Sequence, residues 1–299
     1  MTRIVNNCVA LVCLCLFWGQ SLRAADASHS EQIKWGNESV FNEEHNTLGL
    51  FSGVLGGQIV LAGGTSDDYS RWGRNAVCLS ENAGFALYED MLSKPLAYGA
   101  SITLSDGILC IGGRDSSQCY EDVFFVTMQQ GKLNVSEDWP PLPFPLSNAA
   151  GALLDNKVYL FGGRKSVSPS RLSDSFFVLD LSNKSRGWKE LSGYPGCVRE
   201  DAILVVQNNG VSPCLYLLGG QTETEEGLSS CLTDGYVYNP QLGKWSSLGS
   251  DFPKGICAAV ASGANHILLF QKEPEDTQHL KKRECFMEIP YNYADSCQV

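Results

Sequence analysis

Three polar residues that could bind an anion occupy the same point of a repeating pattern. Arg114, Arg164 and Gln221 each directly follow a pair of glycines. Equivalent positions of a structural repeat lie at the same end of equivalent elements, so we expect these side chains to share one face. A guanidinium group binds a carboxylate through two parallel hydrogen bonds. The spacing therefore predicts a site for an acidic small molecule, with Gln221 as a hydrogen-bonding residue.

Two further residues extend this candidate substrate site. Arg199 precedes an apolar run, and Tyr98 lies between small residues at the start of another. Both are expected near the inner edge of the fold, where a ligand would bind. The alternatives stay open: the arginines could be solvated loop residues or could pair with Asp115 and Glu200, and Tyr98 could be a core residue.

The elements that must position these residues are apolar runs that end in glycine pairs. A fifth run, residues 267–270, is followed by Gln271 instead of a pair. A period near 50 residues with one glycine pair per repeat predicts an all-β, Kelch-type β-propeller. The four pairs are Gly63-Gly64, Gly112-Gly113, Gly162-Gly163 and Gly219-Gly220.

Each repeat predicts the four strands of one propeller blade. A small-residue run, a polar turn and the strong apolar run form a hairpin, because Asp-Gly and Asn-containing turns tolerate positive φ. An aromatic-rich strand led by aspartate follows, and then a strand that carries Trp139, Trp188 or Trp245. We expect the glycine pairs to admit the next strand and a large aromatic side chain. The first repeat departs from this pattern, because no aspartate-led aromatic strand follows its glycine pair.

The net charge limits the partners of the protein, and its first residues predict secretion. A net charge of -11 and a pI near 4.8 argue against nucleic acid or an anionic membrane as partner. Residues 1–27 contain an apolar run and an Ala-x-Ala site, which predicts a cleaved signal peptide, although a retained anchor is the alternative. Residues 28–299 then form the propeller domain, in the periplasm or outside the cell, without a membrane contact after cleavage.

Cysteine and histidine usage predicts neither a metal nor another cofactor. Nine of the 12 cysteines follow the signal segment, without a Cys-x-x-Cys pair or a Cys/His cluster. One or two disulfides are compatible with an oxidising compartment. A copper oxidase on the same fold would need clustered histidines, and the chain has only 4.

Residues 94–125 carry a more specific pattern, in which Tyr98 and the second glycine pair stand within a long Kelch segment. This stretch resembles the cyclically permuted mutarotases, relatives of N-acetylneuraminate epimerase, and residues 49–64 and 232–236 are similar to that family too. The resemblance implies a secreted six-bladed propeller that interconverts the anomers of a sialic acid. Five blade hairpins are recognisable, so the sequence predicts a propeller that is incomplete at its C-terminus, with residues 284–289 as a late strand.

The resemblance also implies a glutamate proton acceptor in a Gly-Glu pair, and the matching position here is Gln221. A glutamine amide cannot accept that proton, so the sequence leaves the catalytic base unassigned. Carboxylates near the candidate site are Asp115, Glu200, Asp201 and Glu223. The predicted function is that of a sialic acid mutarotase-like protein, truncated or inactive in its divergent form. The alternative is a Kelch module that binds carbohydrate or protein without catalysis, and the oligomeric state is open.

Overall fold

The structure, a computed structural model, describes residues 48–80, 84–271 and 284–288, and their strands form five main antiparallel sheets. Each sheet corresponds to one repeat of the sequence. The prediction of an all-β, Kelch-type propeller arrangement is confirmed. The predicted signal segment lies outside the described residues.

The first sheet is complete, although its repeat seemed degenerate in sequence. Ala76 to Ser80 pair antiparallel with Tyr88 to Gly84, which supplies the two outer strands. The third strand needs no aspartate or aromatic residue here because its apolar side chains are buried by their position in the blade. The strands of this blade are β1 (Leu48–Leu55), β2 (Gln58–Thr65), β3 (Ala76–Ser80) and β4 (Gly84–Tyr88).

The second sheet follows the predicted order of hairpin, aromatic strand and outer strand. Its aromatic strand pairs Val123 with Ile111, directly before the glycine pair. Trp139 follows the outer strand instead of lying within it. The strands are β5 (Ala100–Thr103), β6 (Ile108–Ile111), β7 (Val123–Gln129) and β8 (Lys132–Ser136).

The third and fourth sheets each carry a short extra ribbon after the glycine pair, where the sequence predicted only a polar loop. Blade three contains β9 (Ala150–Leu154), β10 (Lys157–Phe161), the ribbon β11 (Arg164–Ser166) and β12 (Arg171–Leu172), β13 (Phe176–Asp180) and β14 (Lys189–Leu191). Blade four contains β15 (Ile203–Asn208), β16 (Pro213–Leu218), the ribbon β17 (Gln221–Glu223) and β18 (Ser229–Cys231), β19 (Gly235–Asn239) and β20 (Lys244–Gly249).

The fifth sheet has three described strands, β21 (Ile256–Ser262), β22 (His266–Gln271) and β23 (Glu284–Glu288). The predicted late strand is confirmed, because Phe270 to His266 pair antiparallel with Glu284 to Glu288. A 3₁₀ helix spans Leu181–Arg186 in blade three. Within the described part of the chain, no helix is long and apolar enough to cross a membrane.

The first strands of the blades lie side by side in the order β1, β5, β9, β15 and β21, and they form the inner edge of the arrangement. Four hydrophobic clusters fill the spaces between successive blades. Phe51 of blade one, for example, meets the ring of Phe124 edge-on at 5.2 Å between centroids. Each blade therefore buries its apolar face only against its neighbours, as expected of a radial repeat.

The glycine pairs end the second strand of the first four blades, as predicted, but their packing reason differs from the predicted one. Both residues of the third pair have positive φ, 68° at Gly162 and 92° at Gly163. A Cβ on Gly163 would lie 2.5 Å from the carbonyl oxygen of Ser147. The Gly163 N–H instead donates to the Arg199 carbonyl of the next blade at 2.8 Å. Close approach of backbone, more than of an aromatic ring, requires glycine here.

Candidate functional site

Three residues of different types share one backbone conformation at the entry to three successive inner strands. Tyr98, Asn148 and Asp201 have φ values of 59°, 55° and 53°, in the left-handed region that non-glycine residues rarely occupy. Each stands two residues before the first residue of its inner strand. We call this set the inner ring. Unusual backbone of this kind is concentrated at functional sites.

A chain of backbone hydrogen bonds connects the members of the inner ring. The Tyr98 N–H donates to the Gly49 carbonyl at 2.7 Å, and the Asn148 N–H donates to the Tyr98 carbonyl at 2.7 Å. The Asp201 N–H continues the series with a 3.0 Å bond to the Asn148 carbonyl. These bonds run from blade to blade, so they fix the three side chains relative to one another around the inner edge of the fold.

Asp201 places an ionisable carboxyl in the inner ring. Its Oδ1 accepts a 2.9 Å hydrogen bond from Asn148 Nδ2. The residue is exposed at the surface, but surrounding protein atoms still reduce the hydration of its carboxyl. This desolvation raises the pKa of Asp201 to about 6, against the opposing effects of the Asn148 hydrogen bond and the nearby positive charges of Arg164 and Arg114. The carboxyl can therefore gain or lose a proton near neutral pH.

Arg114 lies beside the inner ring and carries aromatic side chains on its guanidinium. The centre of the guanidinium is 4.9 Å from the Tyr98 ring centroid and 5.1 Å from that of Trp72. Among the described residues, the Arg114 side chain donates a single hydrogen bond, a long one of 3.5 Å from Nη1 to the Asp115 carbonyl oxygen. Within the described part of the chain it forms no ion pair with a carboxylate. Its charged N–H groups therefore have no protein carboxylate to bind among the described residues, and anion binding by Arg114 stays a prediction.

Arg164 has a different environment, because its guanidinium is already bound by protein carboxylates. Nε donates to Glu200 Oε2 at 2.9 Å, and Nη2 bonds to the other oxygen of Glu200 and to Glu223 Oε1, the latter at 3.1 Å. Nη1 bonds to Ser170. The hydrogen bonds to Glu200 raise the pKa of Arg164 above its ordinary value. This network argues against the predicted role in substrate binding and indicates that Arg164 organises the two ribbons.

Gln221 lies at the start of β17, where its backbone pairs with Glu200 and with Cys231. Its Oε1 accepts a hydrogen bond from the Ser229 hydroxyl across the ribbon. The Gln221 amide oxygen is thus already hydrogen-bonded within the ribbon. The residue nevertheless lies close to the inner ring, since Glu200, its backbone partner, directly precedes Asp201.

Arg199 is fully buried and forms an ion pair with Asp234. The Nη1–Oδ1 distance is 2.7 Å and the Nη2–Oδ2 distance is 2.8 Å, and Nη1 also donates to the Gly219 carbonyl at 2.9 Å. Burial alone would lower the pKa of Arg199, but the hydrogen bonds to Asp234 raise it above its ordinary value. The guanidinium has no access to a ligand, so this geometry argues against the predicted substrate carboxylate and makes Arg199 a structural residue.

The structure thus brings together Tyr98 and Arg114 from the predicted site residues, and it adds Asn148, Asp201 and Trp72. The inner-ring residues share no residue type, but their spacing from the glycine pairs is a signal in the sequence. Tyr98 and Asn148 each stand 14 residues before the glycine pair of their own blade, as Gly49 does. Asp201 stands 18 residues before its pair because the hairpin of blade four is longer.

In the described part of the chain, no group of three or more histidine, cysteine, aspartate or glutamate side chains is arranged to hold a metal ion. Seven cysteines with described side chains, from Cys78 to Cys257, are free thiols. A shallow recess in blade four, which Cys214, Tyr216 and Val237 help to line, lies at the opposite end of the strands from the inner ring. The polar groups of the inner ring are therefore the better candidates for chemistry.

Comparison with known proteins shows which proteins part of this chain resembles. Residues 139–272 match the family model of N-acetylneuraminate epimerase. This segment, a little under half of the chain, is therefore similar to N-acetylneuraminate epimerases. It includes Asn148, Arg164, Arg199, Asp201 and Gln221, whereas Tyr98 and Arg114 precede the matched segment.

Individual relatives agree with the family match. The N-acetylneuraminate epimerase of Yersinia pestis (strain Pestoides F) is 30% identical over 139 residues, which cover 45% of this chain and 33% of the relative. The N-acetylneuraminate epimerase of Haemophilus influenzae (strain PittEE) is 31% identical over 131 residues, 44% of this chain and 32% of the relative. A Kelch domain-containing protein of Vibrio cholerae is 30% identical over 141 residues, 46% and 36% respectively. The matched region spans about a third of the length of these N-acetylneuraminate epimerases.

Proposed function

We propose that the inner ring binds a sugar acid and interconverts the anomers of N-acetylneuraminate. The observation that carries this proposal is that a carboxyl able to transfer a proton and a guanidinium able to bind an anion lie near each other. Asp201 supplies a carboxyl whose pKa is about 6, and Arg114 supplies a guanidinium without a carboxylate partner among the described residues. The names of the relatives support the substrate class.

Anomer exchange requires proton transfer at two oxygens of the sugar. The anomeric hydroxyl loses its proton, the bond between the anomeric carbon and the ring oxygen breaks, and the ring oxygen gains a proton. The open-chain ketone then closes on its other face by the reverse steps. The Asp201 carboxylate takes the first proton and, once protonated, returns one to the ring oxygen. A carboxyl with a pKa close to the working pH suits both steps.

The carboxylate of the substrate gives the site its orientation. In N-acetylneuraminate this carboxylate is attached to the anomeric carbon itself, so a guanidinium that binds it also places the reacting centre. Arg114 is assigned this role because its N–H groups are free to bind, whereas those of Arg164 and Arg199 already bind Glu200 and Asp234. The sequence also offered Arg199 for this purpose, and its ion pair with Asp234 is the reason to prefer Arg114.

The position of Asp201 also accounts for the missing glutamate. The resemblance implies a carboxylate at the position of Gln221, and the backbone of Gln221 pairs with that of Glu200, the residue before Asp201. Asp201 therefore supplies a carboxylate from the residue next to the backbone partner of Gln221. Tyr98, whose pKa is raised by burial, keeps its proton and serves as a hydrogen-bond donor to the sugar.

The test is anomer exchange of N-acetylneuraminate measured by NMR saturation transfer with purified protein. We expect exchange above the rate in buffer for the parent protein and loss of it for Asp201→Asn. Asp106→Asn is the matched control, since Asp106 is exposed in the turn at the far end of the β5–β6 hairpin. Exchange by the Asp201→Asn variant at the parental rate would reject the assignment. Binding without exchange by the parent would favour the non-catalytic carbohydrate-binding alternative.

A further inference from the structure

An exposed aromatic residue beside Arg114 has no role in the chemistry above. Tyr69 lies in the connection between β2 and β3 and is 50% exposed, the most exposed aromatic side chain among the described residues whose burial is known. Its ring centroid lies 6.5 Å from that of Trp72, and the ring of Trp72 lies 6.3 Å from that of Tyr98. We call these three side chains the aromatic wall.

The backbone of Tyr69 is held in an unfavourable conformation. Its φ is 59°, in the left-handed region where glycine would be unstrained. Neither the hydrophobic clusters nor a buried contact of its ring accounts for tyrosine at this position. Strain at an exposed residue is a reason to look for a role in binding.

The connection that carries Tyr69 is ordered by its own hydrogen bonds. Asp68 Oδ1 accepts bonds from the Ser66 hydroxyl at 2.6 Å and from the Ser70 N–H at 3.1 Å. The Thr65 hydroxyl donates to the Arg71 carbonyl at 2.7 Å, and Trp72 Nε1 donates to the Tyr69 carbonyl at 3.1 Å. The ring of Tyr69 is therefore presented in a fixed place before any ligand binds, which reduces the entropy lost on binding.

That fixed place is next to the inner ring. The hydroxyls of Tyr69 and Tyr98 are 3.5 Å apart, and Tyr98 contacts the guanidinium of Arg114. A molecule whose carboxylate is bound by Arg114 would extend its remaining atoms along the aromatic wall. Aromatic faces contact the C–H groups of a sugar, and the two phenol hydroxyls can bond to its hydroxyl or amide groups.

We infer that the aromatic wall binds the body of the sugar, with Tyr69 as the contact that distinguishes a sugar acid from a small carboxylate. This inference rests on the proposed function, because it takes the carboxylate to be bound by Arg114. It adds a second subsite, in which Tyr69 and Trp72 of blade one join Tyr98, to the inner ring of blades two to four.

The test compares Tyr69→Gly with Gln130→Gly. Gln130 is also a non-glycine residue with positive φ, 52°, in the exposed turn between β7 and β8. Both substitutions relieve the same backbone strain and add the same flexibility to the unfolded chain, so their thermal stabilities should change alike. Calorimetry with N-acetylneuraminate should show about tenfold weaker binding for Tyr69→Gly and parental binding for Gln130→Gly.

Two ligands separate this inference from the proposed function. Pyruvate carries the same carboxylate next to a carbonyl but lacks the sugar, so Tyr69→Gly should leave any pyruvate binding, measured by NMR, unchanged. Parental affinity of Tyr69→Gly for N-acetylneuraminate, with exchange activity intact, would overturn the aromatic subsite and leave the proposed function standing. No binding of N-acetylneuraminate by the parent protein would overturn both. Equal weakening for both ligands would show that Tyr69 supports Arg114 and does not select the sugar.

Discussion

Arg199 and Asp234 form a bidentate ion pair at a position where the preceding blades place leucine. The carbonyls of Leu96, Leu146 and Arg199 accept the same hydrogen bond, from the second glycine of the preceding blade's pair. The two leucine side chains are buried, and so is the arginine. Blade four thus contains a charged pair in a slot that is otherwise apolar. Asp234 Oδ2 also accepts a 3.0 Å bond from the Tyr236 hydroxyl.

The first prediction concerns the stability contributed by this pair. Arg199→Leu leaves Asp234 without its partner, and we expect a loss of about 3 kcal/mol in the free energy of unfolding. The double variant Arg199→Leu, Asp234→Asn should recover most of that loss, because leucine suits the slot and no unpaired charge remains. Urea denaturation of the parent, the Arg199→Leu and Asp234→Asn single variants and the double variant gives the coupling energy. Additive losses would show that the two residues do not act as a pair.

A second prediction isolates the close contact at a glycine pair. Gly163→Val and Gly131→Val both place a branched residue at positive φ, 92° and 75°. An added Cβ at Gly131 meets no atom within 4 Å, whereas at Gly163 it meets Ser147 O at 2.5 Å. We therefore expect Gly163→Val to cost about 1–3 kcal/mol more than Gly131→Val, as overpacking does. If denaturant titrations gave equal losses of stability for both variants, the close contact with the Ser147 carbonyl would not explain the glycine at Gly163.

The third prediction follows from the raised pKa of Asp201. A carboxyl with a folded pKa of about 6 binds its proton more tightly in the folded than in the unfolded protein. Stability should therefore fall as pH rises from about 4 to about 6, and the penalty should persist above that range. Asp201→Asn removes the charge, so it should be more stable than the parent at pH 7.5 and equal to it at pH 3.5. Thermal melts of both proteins at pH 3.5 and pH 7.5 measure this difference. If Asp201→Asn stabilised the protein equally at both pH values, the raised pKa would be contradicted.

The fourth prediction assigns the carboxylate ligand. Arg114→Gln keeps a polar side chain but removes the charge, so binding of N-acetylneuraminate should weaken by about 2 kcal/mol, the range of charge-assisted hydrogen bonds. Arg186→Gln, at an exposed arginine that ends the 3₁₀ helix, is the matched control and should bind as the parent does. Calorimetry measures both. Unchanged binding by Arg114→Gln would show that another polar residue of the site binds the substrate carboxylate.

Much of the fold could be predicted from sequence because short patterns of adjacent residues mark each repeat. The glycine pairs, the turns before the strong apolar runs and the aromatic third strands are each read from adjacent residues. The strand Ala76–Ser80 escaped prediction because its residues are simply apolar, and only its pairing with Leu61 and neighbouring residues makes it the third strand of a blade. Tertiary pairing, not local propensity, decides such a strand.

The candidate site was less accessible from sequence because its residues differ in type. Tyr98, Asn148 and Asp201 share a backbone conformation and a hydrogen-bond chain, and neither is visible in side-chain chemistry. At Arg199 the side-chain chemistry was visible in the sequence but misleading. Its residue type indicated anion binding, but its register places it in a buried slot, and its anion is Asp234 of the same blade. Local sequence could not show which arginine is left without a protein carboxylate.

The proton-transfer role of Asp201 is the central claim, and the pH dependence of anomer exchange tests it most directly. The carboxylate form is the base, so exchange catalysed by the parent protein should rise with pH through about 6 and then level off. Asp201→Glu should restore part of the activity that Asp201→Asn loses, with a shifted midpoint. The measurement is the NMR exchange rate of N-acetylneuraminate between pH 4.5 and 8, corrected for exchange in buffer. A parental profile with a midpoint near 6 that disappears in Asp201→Asn is the predicted result, and the same profile in both proteins would contradict the account.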